Sequence, residues 1–270
     1  MSRPFLKLPS FEGVAAGQIA TIKLPIGFRY HALFLTYAGI TLAQMTEIRI
    51  LLNGKPFQRF TGTERDILNQ VEGRPAAAGI LVIPFDRYGL KNRSGEEETA
   101  INTGMKDDRG VSIDSFHVEI DIDAAAAAPV LSMKSERTAS VAGGPGIIPY
   151  IYKFTRNVGS GEHTISDLPF GRVETQALEK LMFTSTNINS IRLERDTFPV
   201  IDRTKAENDL VLIEGVRVPV AGYEVIDMTE RGYAADLFAL VGINDFAVRL
   251  DMAASENVPV LVQYVGALNL

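Results

Sequence analysis

Carboxylates are the side chains of this sequence with the most chemistry in reach. Asp121 and Asp123 stand two residues apart, a spacing that puts both on one face of an extended strand. Glu96-Glu97-Glu98 and Asp107-Asp108 make two further acidic clusters. Ca²⁺ takes about six to eight oxygen ligands from carboxylates and loop carbonyls. Asp121 and Asp123 are therefore the candidate metal ligands, Ca²⁺ is the ion they would take, and no other cofactor is expected. Paired carboxylates also serve glycosidases, but no spaced pair lies among sugar-stacking aromatics and Trp is absent. His31, His117 and His163 are far apart, without metal-ligand spacing, and His117 falls on an outward position of an alternating stretch. No nucleophile elbow, phosphate loop or dinucleotide fingerprint occurs, and Pro145 removes an N–H that phosphate cradling by Gly143-Gly144-Pro145-Gly146 would need. No catalytic residue is assigned, and the chain is not expected to be an enzyme.

Composition narrows the partners. The net charge is −6, from 27 Lys plus Arg against 33 Asp plus Glu, with no concentrated basic run. Direct nucleic-acid binding, which needs a positive face, is not expected. There is no cysteine, so disulfides, thiol catalysis and Cys-based zinc sites are excluded. MSRPFLKLPS lacks the apolar stretch of a signal peptide, and no run of about eighteen apolar residues suggests a membrane span. A chain of 270 residues buries roughly three quarters of its unfolded surface and needs no staples.

The elements that position these residues come in duplicate. Leu24-Pro25-Ile26-Gly27 returns as Leu168-Pro169-Phe170-Gly171, 144 residues on. Ile48-Arg49-Ile50, Asp66-Ile67-Leu68 and Val82-Ile83 return as Ile191-Arg192-Leu193, Asp209-Leu210-Val211 and Val225-Ile226, each 143 residues on. Phe116 to Ile122 returns as Phe246 to Met252, and Pro129-Val130-Leu131 as Pro259-Val260-Leu261, at an offset of 130. A colinear repeat of this period is a duplicated domain rather than a solenoid. The drop of 13 residues places extra loop in the first half, between Gly89 and Ser115.

The repeated blocks read as strands. Phe116, Val118, Ile120 and Ile122 alternate with polar residues, the period of a half-buried strand. Ile48 to Leu52 runs into Asn53-Gly54, a hairpin turn. Leu33 to Tyr37, Ile80 to Phe85 and Val260 to Val265 are further strands, and Ala124–Ala128 is read as a hairpin connection. Short helices are expected at Thr63–Gln70 and Arg231–Val241. The fold class is all-β: two tandem eight-stranded antiparallel jelly rolls with short helices in loops. The first roll is placed at 1–140, a Gly/Pro-rich linker at 141–150 and the second roll at 151–270.

Val14-Ala15-Ala16-Gly17 followed by Ile22-Lys23-Leu24-Pro25-Ile26-Gly27, Asp121-Ile122-Asp123 with its alanine run and Pro129, Ala206-Glu207-Asn208-Asp209, and Val262-Gln263-Tyr264-Val265-Gly266 resemble the major capsid proteins of corticoviruses, the PM2 type. The similarity spans nearly the whole chain and weakens around 86–112 and 135–165. It implies the major capsid protein of a tailless icosahedral bacteriophage, assembled in the host bacterial cytoplasm and located in the virion. It implies homotrimers that act as pseudo-hexameric capsomers and tile a shell around an internal lipid membrane. The implied partners are other copies of the chain, penton or spike proteins, membrane-associated virion proteins and the lipid on the inner face. A Ca²⁺ held by an acidic cluster would then sit at a trimer or inter-trimer contact. Arg3 and Lys7, flanking Phe5 and Leu6, would lie against anionic headgroups or trail as a terminal arm. The other reading of the same fold is a receptor- or glycan-binding module, lectin-like or spike-like.

Overall fold

The computed structural model describes residues 3–269. The first half carries strands β1 (Phe5–Lys7), β2 (Ile19–Lys23), β3 (Phe28–Ala38), β4 (Met45–Leu52), β5 (Lys55–Phe60), β6 (Ile80–Pro84), β7 (Ile101–Asn102), β8 (Phe116–Ile122) and β9 (Val130–Ala139). Helix α1 (Gly62–Val71) follows β5, and the short α2 (Arg93–Glu97) precedes β7. The second half repeats the series as β10 (Ile147–Val158), β11 (Gly161–Ile165), β12 (Ala177–Thr184), β13 (Ile188–Arg195), β14 (Phe198–Thr204), α3 (Lys205–Glu214), β15 (Tyr223–Asp227), β16 (Phe238–Ala239), β17 (Phe246–Met252) and β18 (Glu256–Ala267).

The strand orders are the same in both halves. β1-β9-β3-β6 and β2-β8-β4-β5 are the two sheets of the first roll, with β7 added to β3. β10-β18-β12-β15 and β11-β17-β13-β14 are those of the second, with β16 added to β12. Both are jelly rolls, eight main strands plus one short one. Every repeated sequence block lands on its counterpart: β4 with β13, α1 with α3, β6 with β15, β8 with β17, β9 with β18.

The pattern of burial follows the pattern of residues. On β8, Phe116, Val118, Ile120 and Ile122 are buried while His117, Glu119 and Asp121 are half-exposed. On β17, Phe246, Val248, Leu250 and Met252 are buried likewise. Phe116 meets Tyr30 edge-on at 5.2 Å and Phe85 at 5.8 Å, and Phe246 meets Phe238 at 5.8 Å. Both long helices start with the same device. Thr61 and Thr204 each accept from the backbone N–H three residues on, and Glu64 and Glu207 return the bond to the cap residue.

Three expectations need correction. The segment Arg231–Val241 is not a helix: Gly232 takes φ +82°, a single 3₁₀ turn spans Ala234–Asp236, and β16 follows. Two helices, α2 and α3, were not anticipated. β10 begins at Ile147, so the connection between rolls is 140–146 and shorter than the expected linker. The extra length in the first half does lie where the repeat offset put it. Residues 85–115 separate β6 from β8, whereas 228–245 separate β15 from β17.

The β4–β5 and β13–β14 hairpins place different residues in one geometry. Asn53 and Gly54 take φ of 51° and 78°, and Asp196 and Thr197 take 50° and 67°. Thr197, branched at Cβ, stands in a left-handed conformation that costs an L-residue about 1–2 kcal/mol. Thr197→Gly is expected to raise stability by about 1 kcal/mol in urea denaturation. A loss of stability would contradict the equivalence of the two turns.

Candidate functional site: the joint between the rolls

The features that set this chain apart from a single roll lie where its two rolls meet. β5, the edge strand of one first-roll sheet, pairs in parallel with β10 of the second roll at Gln58 and Ile151. The Gln58 side chain donates to the Pro149 carbonyl at 2.7 Å. The two sheets thereby become one. Phe57 packs edge-on against Tyr150 at 6.0 Å, and Tyr150 stacks on Tyr152, so apolar contact runs through the seam. The buried side chains of both rolls form one continuous cluster.

Beside this apolar contact lies a buried ionic one. Lys180 on β12 lies 3.1 Å from Glu72, at the end of α1, and 3.7 Å from both Glu179 and Asp227. Arg87 reaches across to Glu179 at 3.1 Å. Arg217 binds Asp227 at 2.6 Å and donates to the Tyr88 carbonyl at 2.9 Å. Arg65 lies 3.8 Å from Glu72. The first roll thus supplies Arg65, Glu72 and Arg87, and the second supplies Glu179, Lys180, Arg217 and Asp227, all buried. Burial alone would raise the Glu72 and Asp227 carboxyls. Lys180, with Arg65 or Arg217, outweighs it and holds both below the usual carboxylate range. Burial would likewise lower Lys180, yet Asp227, Glu179 and Glu72 raise it.

The long loop after β6 is a clamp on the second roll. Lys91 N–H donates to the Gly232 carbonyl at 2.9 Å, and Arg87 donates to that of Ala234 at 3.1 Å. α2 approaches so closely that a Cβ on Gly95 would come within 2.6 Å of the Ala234 Cβ. Gly95 is therefore fixed by contact.

The residues singled out in the sequence are placed as follows. Asp121 does not stand free. Arg49 holds it through two hydrogen bonds of 2.6 and 2.9 Å, and also binds Glu119 and Glu47. Asp123 accepts from Ala125 N–H in the turn beyond β8. Glu97 binds Arg3 and Arg93, and though burial opposes it, those two hold its carboxyl down to about 2. Glu98 faces Arg87, and Asp107 binds Arg109. Among the described residues no three His, Asp or Glu side chains gather as a metal site would require. His117 and His163 are half-buried on β8 and β11. His31 is buried on β3, with Nδ1 3.1 Å from Asp86 and Nε2 3.1 Å from Thr138.

From Arg3 to Lys7 the N-terminal segment does not trail as an arm, and Phe5, Leu6 and Lys7 remain exposed. Phe5–Lys7 is β1, hydrogen-bonded to β9, and Arg3 is anchored at 2.7 Å by Asp86, the carboxylate that also holds His31. Sequence reading missed the whole ionic joint. Its members lie far apart in the chain and carry no motif spacing; buried-face Lys180 and Glu179 beside apolar neighbours were the one available signal.

Removing Lys180 leaves Glu72, Glu179 and Asp227 buried with less compensation. Lys180→Met is expected to cost about 3–5 kcal/mol. Glu72 and Asp227 titrate lower folded than unfolded, so their contribution is complete above their unfolded values. It is lost as pH falls through the folded ones. The melting temperature is therefore expected to fall steeply with acidification below about pH 4, and a flat profile there would contradict the assignment.

The family model for the viral coat protein P2 N-terminal domain matches residues 5–138, and that for the P2 C-terminal domain matches 148–268. The major capsid protein P2 of Pseudoalteromonas phage PM2 is 27% identical over 268 residues, covering 98% of this chain and 97% of its own. The crystal structure of that protein from bacteriophage PM2 matches with a TM-score of 0.90 at 25% identity, over 99% of this chain and 98% of the other. The STIV MCP crystal structure, at 13% identity, shares the fold with a TM-score of 0.68 over 98% and 97% of the two chains. This chain, with its two fused rolls, belongs to the viral coat protein P2 family.

Proposed function

We propose that copies of this chain form trimers of nearly hexagonal outline, and that these trimers tile an icosahedral phage shell around an internal lipid membrane. The chain is a viral capsid protein, and its place is the shell of the virion. The observation that carries the finer reading is the rigid joint. It fixes two rolls of the same topology side by side, so three copies present six similar rolls around one axis. Hexagonal tiles cover a surface without gaps and need few kinds of contact. In this reading the partners are other copies of the chain, then penton or spike proteins at the vertices, membrane-associated virion proteins, and lipid beneath. The role is structural rather than catalytic. With an acidic balance of −6, contact with the genome is indirect.

The test is the mass and outline of the purified protein. Sedimentation equilibrium is expected to give about three times 29.5 kDa, and negative-stain images a hexagonal particle. A stable monomer, or a smaller oligomer that binds glycan arrays, would overturn the trimer and favour a receptor-binding module.

A further inference from the structure

The duplication lets each surface of one roll be compared with its counterpart on the other, and two surfaces differ sharply in cover. The first is the helix that follows the fifth strand. In α1, Glu64, Arg65, Asp66, Ile67, Leu68, Asn69 and Val71 are buried; in α3 only Asn208 and Leu212 are. Ile67 is buried, whereas Leu210, its counterpart 143 residues on, is 56% exposed and Ile213 is 64% exposed. The adjoining strands diverge in the same way. On β5, Phe57 and Phe60 are buried and the edge is taken by β10. On β14, Phe198 is 72% exposed and, among the described residues, the outer edge has no partner strand.

The second surface is the outer face of the sheet that begins each roll. On the second roll, Met182 and Val225 pair across β12 and β15 and are buried, at 1% and 3% exposure. Beside them Lys180 faces Glu72 of the first roll. On the first roll the counterpart pair, Phe34 and Val82, is only partly covered, and Ile80 is 49% exposed. These three line a groove of about 460 Å³ with Ala76, Ala77 and Ala78. Among the described residues the outer edge of β1, the counterpart of β10, also has no partner strand. Lys7 and Lys134 are exposed on this face, while α3 presents Glu207 and Asp209.

One molecule therefore carries one completed joint and the two open halves of another. We propose that α3 and β14 of one copy dock on the outer face of the β1-β9-β3-β6 sheet of a second copy. Leu210 and Ile213 enter the groove lined by Phe34, Ile80 and Val82, and the edges of β14 and β1 come together as those of β5 and β10 do within the chain. The contact is heterologous, a donor surface on one copy and an acceptor on the next, so it propagates until a ring closes. This rests on the capsid reading for closure at three copies. The pairing of surfaces rests on the repeat.

The experiment compares the native chain with the double variant Leu210→Asp, Ile213→Asp by sedimentation equilibrium. Far-ultraviolet circular dichroism and thermal melting serve as the check on folding. Both side chains are exposed, so the variant is expected to keep its fold while its mass falls threefold to that of one chain. The chain has no cysteine, which permits a second measurement. Leu210→Cys copies mixed with Ile80→Cys copies and treated with a short bismaleimide are expected to yield crosslinked pairs, and either variant alone to yield none. A folded double variant that stays trimeric overturns the docking while leaving the capsid reading intact. If the double variant unfolds, the crosslink decides, and its absence overturns the docking. A native chain that is monomeric at every concentration overturns both.

Discussion

A joint that buries Arg65, Arg87, Lys180 and Arg217 against Glu72, Glu179 and Asp227 stands only if every charge finds opposite charges within a few ångströms. Desolvation makes such a cluster a poor source of net stability compared with an apolar seam of the same volume. What it supplies is selectivity of placement. A slide of one roll against the other would strand several charges in a low-dielectric interior, where breaking one partnership costs more than the cluster contributes when intact. The aromatic contact of Phe57 with Tyr150 would tolerate such a slide far better. The apolar seam therefore holds the rolls together, and the ionic cluster fixes where they sit.

That rigidity has a consequence for assembly. A tile whose two halves swivelled could not present surfaces at fixed angles to its neighbours. The first roll answers with added chain as well as added charge. The loop between β6 and β8 spends its extra length on the second roll, through Arg87, Lys91 and Gly95, rather than on its own sheet. Its counterpart after β15 is shorter and is the surface being clamped. The two rolls share a topology but have divided the work of the joint between them.

Much of this architecture was legible in the residues. Alternation in Phe116–Ile122 announced a strand with one buried face, Asn53-Gly54 announced a hairpin, and the repeat placed the long loop correctly. The repeat also held information that went unread. Thr61-x-x-Glu64 and Thr204-x-x-Glu207 are the same capping box, so a helix read at 63–70 implied one at 205–214. Arg231–Val241 misled because propensity is a weak prior there, and Gly232 breaks the turn while the clamp from the first roll sets the backbone. The partner of Asp121 was hidden too, because a strand pattern does not show that Arg49, 72 residues earlier, lies directly alongside. That Phe5 and Leu6 form a strand was hidden for the same reason: the partner strand β9 is more than a hundred residues away. The ionic joint was invisible because a buried charge pair leaves no periodic trace. It is recognised only once the fold has brought the partners together.

The claim on which the rest depends is that the two rolls are held by the joint and not merely tethered by 140–146. A protease site placed at the exposed Val141-Ala142-Gly143 turn tests it directly, because exposed loops tolerate insertion. After cleavage the account predicts that the halves elute together in native buffer at neutral pH and separate only in denaturant. Two independent species in native buffer would contradict it.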